Sequence, residues 1–290
     1  MIVNADCIEH LKTIEDNYFD SVVTDPPYHL TSIAKRFTNS TEAKYGKDGS
    51  FQRLSKGFVG HEWDGGDIAF TTDLWKEVYR TIKPGAVLLA FAATRNYHKM
   101  ATAIENSGFE IMDMINWIYG SGFPKRKNLL KPAHEPIVMA RKGVNKDLNL
   151  DECRVNGDNP KKWTKPKGGF WTTDSNAKAK YIENTKGRWP ANIIHDGLDE
   201  EWARYFYSAK ASKKEKDGSK HPTVKPISLM RYLVKLITPK EGLVLDPFAG
   251  TGTTGEACIL ENRKYYLIEK TKQYIPDIEK RIKKYNRLDI

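Results

Sequence analysis

Two short clusters hold residue types and spacings that could do chemistry. The first is Thr24-Asp25-Pro26-Pro27-Tyr28, directly after the β-branched run Ser21 to Thr24. Proline cannot donate to a β ladder, so a strand must end there. A carboxylate, a carbonyl released from pairing and an aromatic ring then meet at the carboxyl end of one strand. An exocyclic amine on a nucleobase is a poor nucleophile, because its lone pair is delocalised into the ring. Two acceptors aimed at its hydrogens, the Asp25 carboxylate and the Pro26 carbonyl, favour the tetrahedral nitrogen that attacks a methyl group. Tyr28 can hold the base by face stacking. Taken alone, the same four residues also fit an ordinary strand-ending turn.

The second cluster is Leu243-Val-Leu-Asp246-Pro-Phe248-Ala249-Gly250-Thr251-Gly252-Thr-Thr-Gly255. It reads as a strand, a glycine turn and a helix, with Glu269 ending the next strand. Glycines let the backbone approach a ligand, and the Glu269 carboxylate can take two ribose hydroxyls. The pattern points to an adenosine-containing cofactor and leaves open a dinucleotide or S-adenosylmethionine. Asp246 tilts the choice: an acid there repels a pyrophosphate but suits an ammonium and a sulfonium. S-adenosylmethionine is the expected cofactor.

The elements around these clusters predict an α/β fold. Strands are expected at Ala86 to Ala92, Glu110 to Tyr119, Pro136 to Ala140 and Lys264 to Ile268. Helices are expected at Asp73 to Ile82, Asn96 to Ser107, Ser228 to Leu236, Gly255 to Leu260 and Gln273 to Tyr285. Alternation of this kind implies a doubly wound, mainly parallel sheet covered on both faces. The middle breaks the rhythm. From Lys161 to Arg188 there are eight basic residues against two acidic ones, interleaved with Trp163, Phe170, Trp171 and Tyr181 and without a period of 2 or 3.6. It reads as an insertion that binds something. His29 to Gly60, basic and rich in Ser, Thr and Gly, reads as a long loop.

Composition narrows the partner. The 290 residues carry 47 Lys and Arg against 37 Asp and Glu, a net charge of +10 with a pI near 9.2. Such a surface attracts polyanions, nucleic acid first. No apolar run approaches the roughly 20 residues of a bilayer span, so no membrane partner is expected. The N-terminal stretch carries acids early and no basic segment ahead of an apolar one, which predicts a cytoplasmic location. Cys7, Cys153 and Cys258 are far apart, so reduced thiols and no structural metal are expected. His61 has no second histidine at helical spacing and reads as a loop contact.

Asp25-Pro-Pro-Tyr28 near the start and Phe248-Ala-Gly-Thr-Gly252 near the end together resemble the amino-group DNA methyltransferases of the beta, circularly permuted, arrangement. His221-Pro-Thr223-Val-Lys225-Pro226 is similar to a third motif of that family. The resemblance implies a Rossmann-like methyltransferase domain over 1–142 and 206–290, catalytic half first, with 143–205 as a target-recognition insertion. It implies methyl transfer to adenine N6 in double-stranded DNA, since the acid-first motif goes mostly with adenine; cytosine N4 presents the same geometry and stays as the alternative. It places Asp25, Pro26, Pro27 and Tyr28 at the reacting amine. Asp246, Phe248, Ala249, Gly250, Thr251, Gly252 and Glu269 are placed at the cofactor, with Thr223 and Lys225 at its methionine end.

Asn4-Ala5-Asp6-Cys7 resembles a further element that meets the cofactor's adenine, through the Asp6 carboxylate and the Cys7 N–H; Asp6 also reads as a helix N-cap. Trp117, Tyr119, Phe123 and Lys125 resemble the element beside a flipped base, and each ring equally fits a core. Lys161, Lys162, Lys165, Lys167 and Arg188 are the expected DNA contacts of the insertion. A homodimer and a cognate restriction nuclease are further partners that the resemblance suggests. An oxidoreductase built on Gly250, Gly252 and Gly255 would leave Asp25 to Tyr28 and the charge unused. A DNA-binding protein with a dead cofactor fold would not need every catalytic position filled.

Overall fold

The computed structural model describes residues 1–28, 67–119, 130, 132–155, 162–163, 181–182, 187–195, 211–212, 215 and 224–285. In chain order these form β1 (Ile2–Val3), α1 (Cys7–Leu11), β2 (Phe19–Thr24), α2 (Thr72–Thr81), β3 (Ile82–Phe91), α3 (Tyr97–Glu105), β4 (Glu110–Ile118) and β5 (His134–Arg141). There follow β6 (Lys162–Trp163), β7 (Tyr181–Ile182), β8 (Ile193–His195), α4 (Ile227–Ile237), β9 (Leu243–Asp246), α5 (Thr253–Leu260), β10 (Lys264–Ile268) and α6 (Ile275–Lys283).

An eight-stranded sheet runs in the order β1-β10-β9-β2-β3-β5-β4-β8. Pairing is parallel from β1 through β3, antiparallel between β3 and β5 and between β5 and β4, and parallel again from β4 to β8. The central strands are apolar on both faces because both faces are covered. Val22, Leu88, Ala90, Val138 and Ala140 enter one core with α1, α2 and α3, whereas Val23, Leu89, Phe91, Ile137 and Met139 enter the other with α4 and α5. The two-residue period of the strands thus divides one apolar run between two cores. A smaller cluster joins Leu267 of β10 to Ile278 and Ile282 of α6.

The sheet is the mainly parallel, doubly wound one that the sequence predicts, and the differences are local. Strand β3 begins at Ile82: it pairs with Phe19 there and with Ser21 only at Val87. Lys83-Pro84-Gly85 lies between the two pairings, and Gly85 has φ +80°. Within the expected insertion, 143–205, two described stretches pack against the main sheet and its helices. Asn149 donates to the Leu236, Lys235 and Thr238 carbonyls at the end of α4, and Cys153 is buried in the second core. Strand β8 extends the main sheet alongside β4. Between them, β6 and β7 pair as a separate antiparallel ribbon.

Strands β9 and β2 are neighbours, with Ser21 opposite Val244 and Val22 opposite Leu245. On one side of this pair the order continues to β10 and β1, on the other to β3 and β5. A parallel sheet whose order diverges at a strand pair opens a crevice at the carboxyl ends of those strands, where ligands bind. Both sequence clusters lie there.

Candidate active site

Asp25 follows β2 directly, and its side chain is 24% exposed. Oδ1 accepts from the Tyr28 hydroxyl at 2.6 Å, and Oδ2 accepts from Lys225 Nζ. Glu135 of β5 completes the group: its Oε2 accepts from the Tyr28 hydroxyl at 3.2 Å and pairs with Lys225 Nζ at 3.3 Å. Asn96 Nδ2 donates to the Tyr28 carbonyl at 2.8 Å and holds the turn. Pro26 and Pro27 are buried.

Lys225 is 8% exposed, its ammonium 4.6 Å from the Phe91 ring centroid and 5.4 Å from that of Tyr28. Burial opposes its charge, but the Asp25 and Glu135 carboxylates outweigh burial and hold Lys225 above its usual value. Burial and the same two acids push the Tyr28 phenol well above the ordinary range, so it stays a donor.

Lys225, expected at the cofactor's methionine end, meets the two acids Asp25 and Glu135. Pro226 caps α4, whose Leu229 and Leu233 fill the second core, and the lysine just before it reaches the two acids. Glu135 and Asn96 were absent from the sequence reading. An acid directly ahead of the apolar run of β5 was the available signal for Glu135, since a carboxylate beside such a run needs a partner.

The glycine-turn side is built differently. Asp246 is 2% exposed; Oδ1 accepts from Thr24 Oγ1 at 2.8 Å and from the Phe248 N–H at 3.1 Å, and Oδ2 accepts from Thr254 Oγ1 at 2.5 Å. Burial raises its carboxyl to about 6 despite these donors. Asp246 therefore ties β9 to the end of β2 and to α5 as an internal anchor. Gly252, expected at the cofactor, is also constrained by its packing. Its φ is +78°, and an added Cβ would lie 2.9 Å from Ile278 Cγ2 of α6, so helix packing and backbone conformation demand the glycine. Thr251, 4% exposed, passes its carbonyl to Arg281 Nε at 2.9 Å, and Ala249 is buried.

Glu269 lies at the carboxyl end of β10. Its Oε2 accepts from the Gly250 N–H at 2.8 Å and its Oε1 from the Thr271 N–H at 2.7 Å, and burial raises its carboxyl above the ordinary range. Each oxygen keeps a lone pair, which fits a vicinal diol. Asn4 Nδ2 donates to the Glu269 carbonyl at 2.8 Å and brings the end of β1 alongside. Asp6 caps α1 through the Ile8 and Glu9 N–H groups at 3.1 and 3.4 Å, and pairs with Lys270 at 3.0 Å. Cys7 is buried, which pushes its thiol up to about 12. With the half-buried Phe248 ring, this edge offers acceptors and an apolar face of the kind an adenosine needs.

The rings expected near a flipped base are in the core: Trp117 is 3% and Tyr119 6% exposed, edge to face at 5.3 Å. They pack with Ile115, Ile137 and Ile194, so the alternation of β4 turns them inward. Arg188 pairs through its backbone with Val155. Phe123, Lys125, Lys161, Lys165, Lys167, Thr223 and His61, and the side chain of Lys162, lie outside the described residues. Among the described residues, no three of His, Cys, Asp and Glu group to hold a metal ion, and no helix is long and apolar enough to cross a membrane.

A sequence model of the N6/N4 methylases, described as DNA methylase, matches residues 19–280. Type II methyltransferase M.HindIII of Haemophilus influenzae is 28% identical, over 93% of this chain and 90% of its own. Type II methyltransferase M.HpaI of Haemophilus parainfluenzae is 26% identical, over 97% of this chain and 73% of its own. The crystal structure of an M1.HpyAVI–SAM complex superposes with a TM-score of 0.56 at 20% identity, covering 97% of this chain and 98% of that one. The cytosine-N4-specific PvuII DNA methyltransferase superposes at 0.60 and 17% identity, covering 99% and 91%. At such identities the two structures bear on the fold alone.

Proposed function

The chain belongs to the N6/N4 DNA methylase family, and we propose that it transfers the methyl group of S-adenosylmethionine to the N6 amine of adenine in double-stranded DNA. The observation that carries this reading is the ionised group at the end of β2, where Asp25 stands beside the strand that leads into the glycine turn. S-adenosylmethionine supplies, when bound, an electrophilic methyl group on a sulfonium. Glu269 takes the ribose hydroxyls, and Phe248 and Asp6 face the adenine of the cofactor. The target base leaves the stack to reach the crevice. Asp25 and the Pro26 carbonyl accept hydrogen bonds from its amine and stabilise the positive charge that grows on nitrogen as the N–C bond forms and the S–C bond breaks. The sulfur keeps the bonding pair, so that S-adenosylhomocysteine leaves, and the alkylated nitrogen gives up one proton to solvent. Lys225 stands against Asp25 and holds its carboxylate in place.

The choice of adenine rests on the acid that leads Asp25-Pro-Pro-Tyr28. Incubation with methyl-tritiated cofactor and mixed genomic DNA, followed by nucleoside digestion and mass spectrometry, tests it. Label in N6-methyladenine is the expected result. Label in N4-methylcytosine would overturn the base and keep the mechanism, and no label would overturn both.

A further inference from the structure

Asp25 does not stand alone at the end of β2. Lys225 sits between two carboxylates, Asp25 and Glu135, and both carboxylates accept from one phenol, Tyr28. The ammonium is nearly closed off from solvent, against Phe91. We infer that Lys225 and Glu135 are positioning residues of the methyl transfer: the ammonium holds Asp25 as an ionised, aimed acceptor, and Glu135 holds the ammonium and the Tyr28 hydroxyl in place. The inference rests on the transfer reading given above.

Charge balance carries the argument. Two carboxylates and one ammonium leave the group with one net negative charge, which suits an amine that turns cationic as it attacks. Without the ammonium the two carboxylates face each other, and one takes up a proton. A protonated Asp25 presents a donor where the amine needs an acceptor. Without Glu135, Asp25 faces the ammonium alone and stays ionised to lower pH. The titratable groups facing Asp25 are Tyr28 from its own turn, Glu135 from β5, Lys225 ahead of α4 and, through its charge, Asp246 from β9. The two substitutions therefore push the acid limb of the rate in opposite directions, which a packing role would not do.

The test is the pH profile of single-turnover methyl transfer at saturating cofactor and DNA, with cofactor affinity measured beside it. Lys225→Met is expected to move the acid limb up by about one pH unit and to slow transfer at pH 7 about 10- to 100-fold. Cofactor affinity should stay within about threefold, since the lysine acts on the acceptor. Lys225→Arg should return the limb toward wild type. Glu135→Gln should move the limb down. Unmoved limbs in Lys225→Met and Glu135→Gln, with an active wild type, would overturn the inference, as would a loss confined to cofactor affinity. Should Lys225→Met fail to fold, Glu135→Gln decides alone, its downward shift supporting the inference and an unmoved limb overturning it. A wild type that transfers no methyl group would instead overturn the transfer reading itself.

Discussion

The two halves of the crevice use the same side chain in opposite ways. At the end of β2, Asp25 is partly open and its donors are side chains, Tyr28 and Lys225, which a substrate can displace or share. At the end of β9, Asp246 is sealed, and its donors are two threonines and a backbone N–H that hold the turn. Glu269 lies between these cases, with both oxygens on backbone N–H groups and lone pairs to spare. An acid at the end of a parallel strand is thus not by itself a ligand-binding acid. Its partners decide: side-chain partners beside an open face leave a carboxylate that a substrate can reach, and donors in strands and turns make a structural one.

The largest test of this contrast is Asp25→Ala. Methyl transfer should fall by about 10³-fold or more, because the acceptor for the developing charge is lost. Cofactor affinity should stay within about twofold, since Glu269 and the glycine turn are untouched. Rapid-quench transfer and calorimetric titration with cofactor check the two halves separately. Near-wild-type transfer would erase the distinction.

Gly252→Val should act through the fold. A β-branched side chain at φ +78° and a Cβ 2.9 Å from Ile278 cost about 3 kcal/mol between them. Denaturant unfolding should show that loss, and weaker cofactor binding should follow from the displaced turn. Loss of cofactor affinity at unchanged stability would show that the glycine faces the ligand after all.

Asp246 makes a prediction with a sign. Its carboxyl titrates at about 6 in the fold against an ordinary 3.8, because burial penalises the charge. The folded state therefore binds this proton more tightly than the unfolded chain. The resulting stability is fully present below about pH 4 and is lost as pH rises through 6, on the order of 3 kcal/mol in all. Asp246→Asn removes that dependence, so the stability of wild type minus variant should fall as pH rises from 4 to 7. Paired melts across that range measure it. A constant difference would mean that Asp246 is ionised at no cost and is not sealed.

The sequence made some of this legible. Runs such as Ser21 to Thr24 and Ala86 to Ala92 feed both cores and so announce buried parallel strands, and the prolines at 26 and 27 fix where β2 stops. The glycine turn could be placed because its spacing is local. The partners of the acids could not, because Lys225 and Asp25 meet across 200 residues and Glu135 comes from a strand that runs antiparallel to β3. Trp117 and Tyr119 sat in a stretch whose aromatics fit a base or a core equally, and only the alternation of β4 turns them inward. The place of β8 in the sheet escaped for a related reason. Strand β8 is three residues long, too short to show a period, and only its pairing with β4 assigns it to the sheet.

The smallest expected effect lies outside both halves. Arg188 exchanges backbone hydrogen bonds with Val155 at 2.9 and 3.1 Å, so truncation of its side chain leaves that bridge intact. Beside it, Trp189 is 57% exposed and carries the Arg154 guanidinium 4.6 Å over its ring, the kind of cationic, aromatic surface that nucleic acid meets. If Arg188 neutralises one phosphate, Arg188→Ala should lower DNA affinity only a few-fold. The slope of log affinity against log salt should shrink by about 0.9, whatever the DNA sequence. Transfer at saturating DNA should not change. Fluorescence anisotropy over a salt series reads the slope. An unchanged slope would take Arg188 out of the DNA interface, whereas a slowed transfer at saturating DNA would couple this surface to the crevice and break the separation between binding and chemistry.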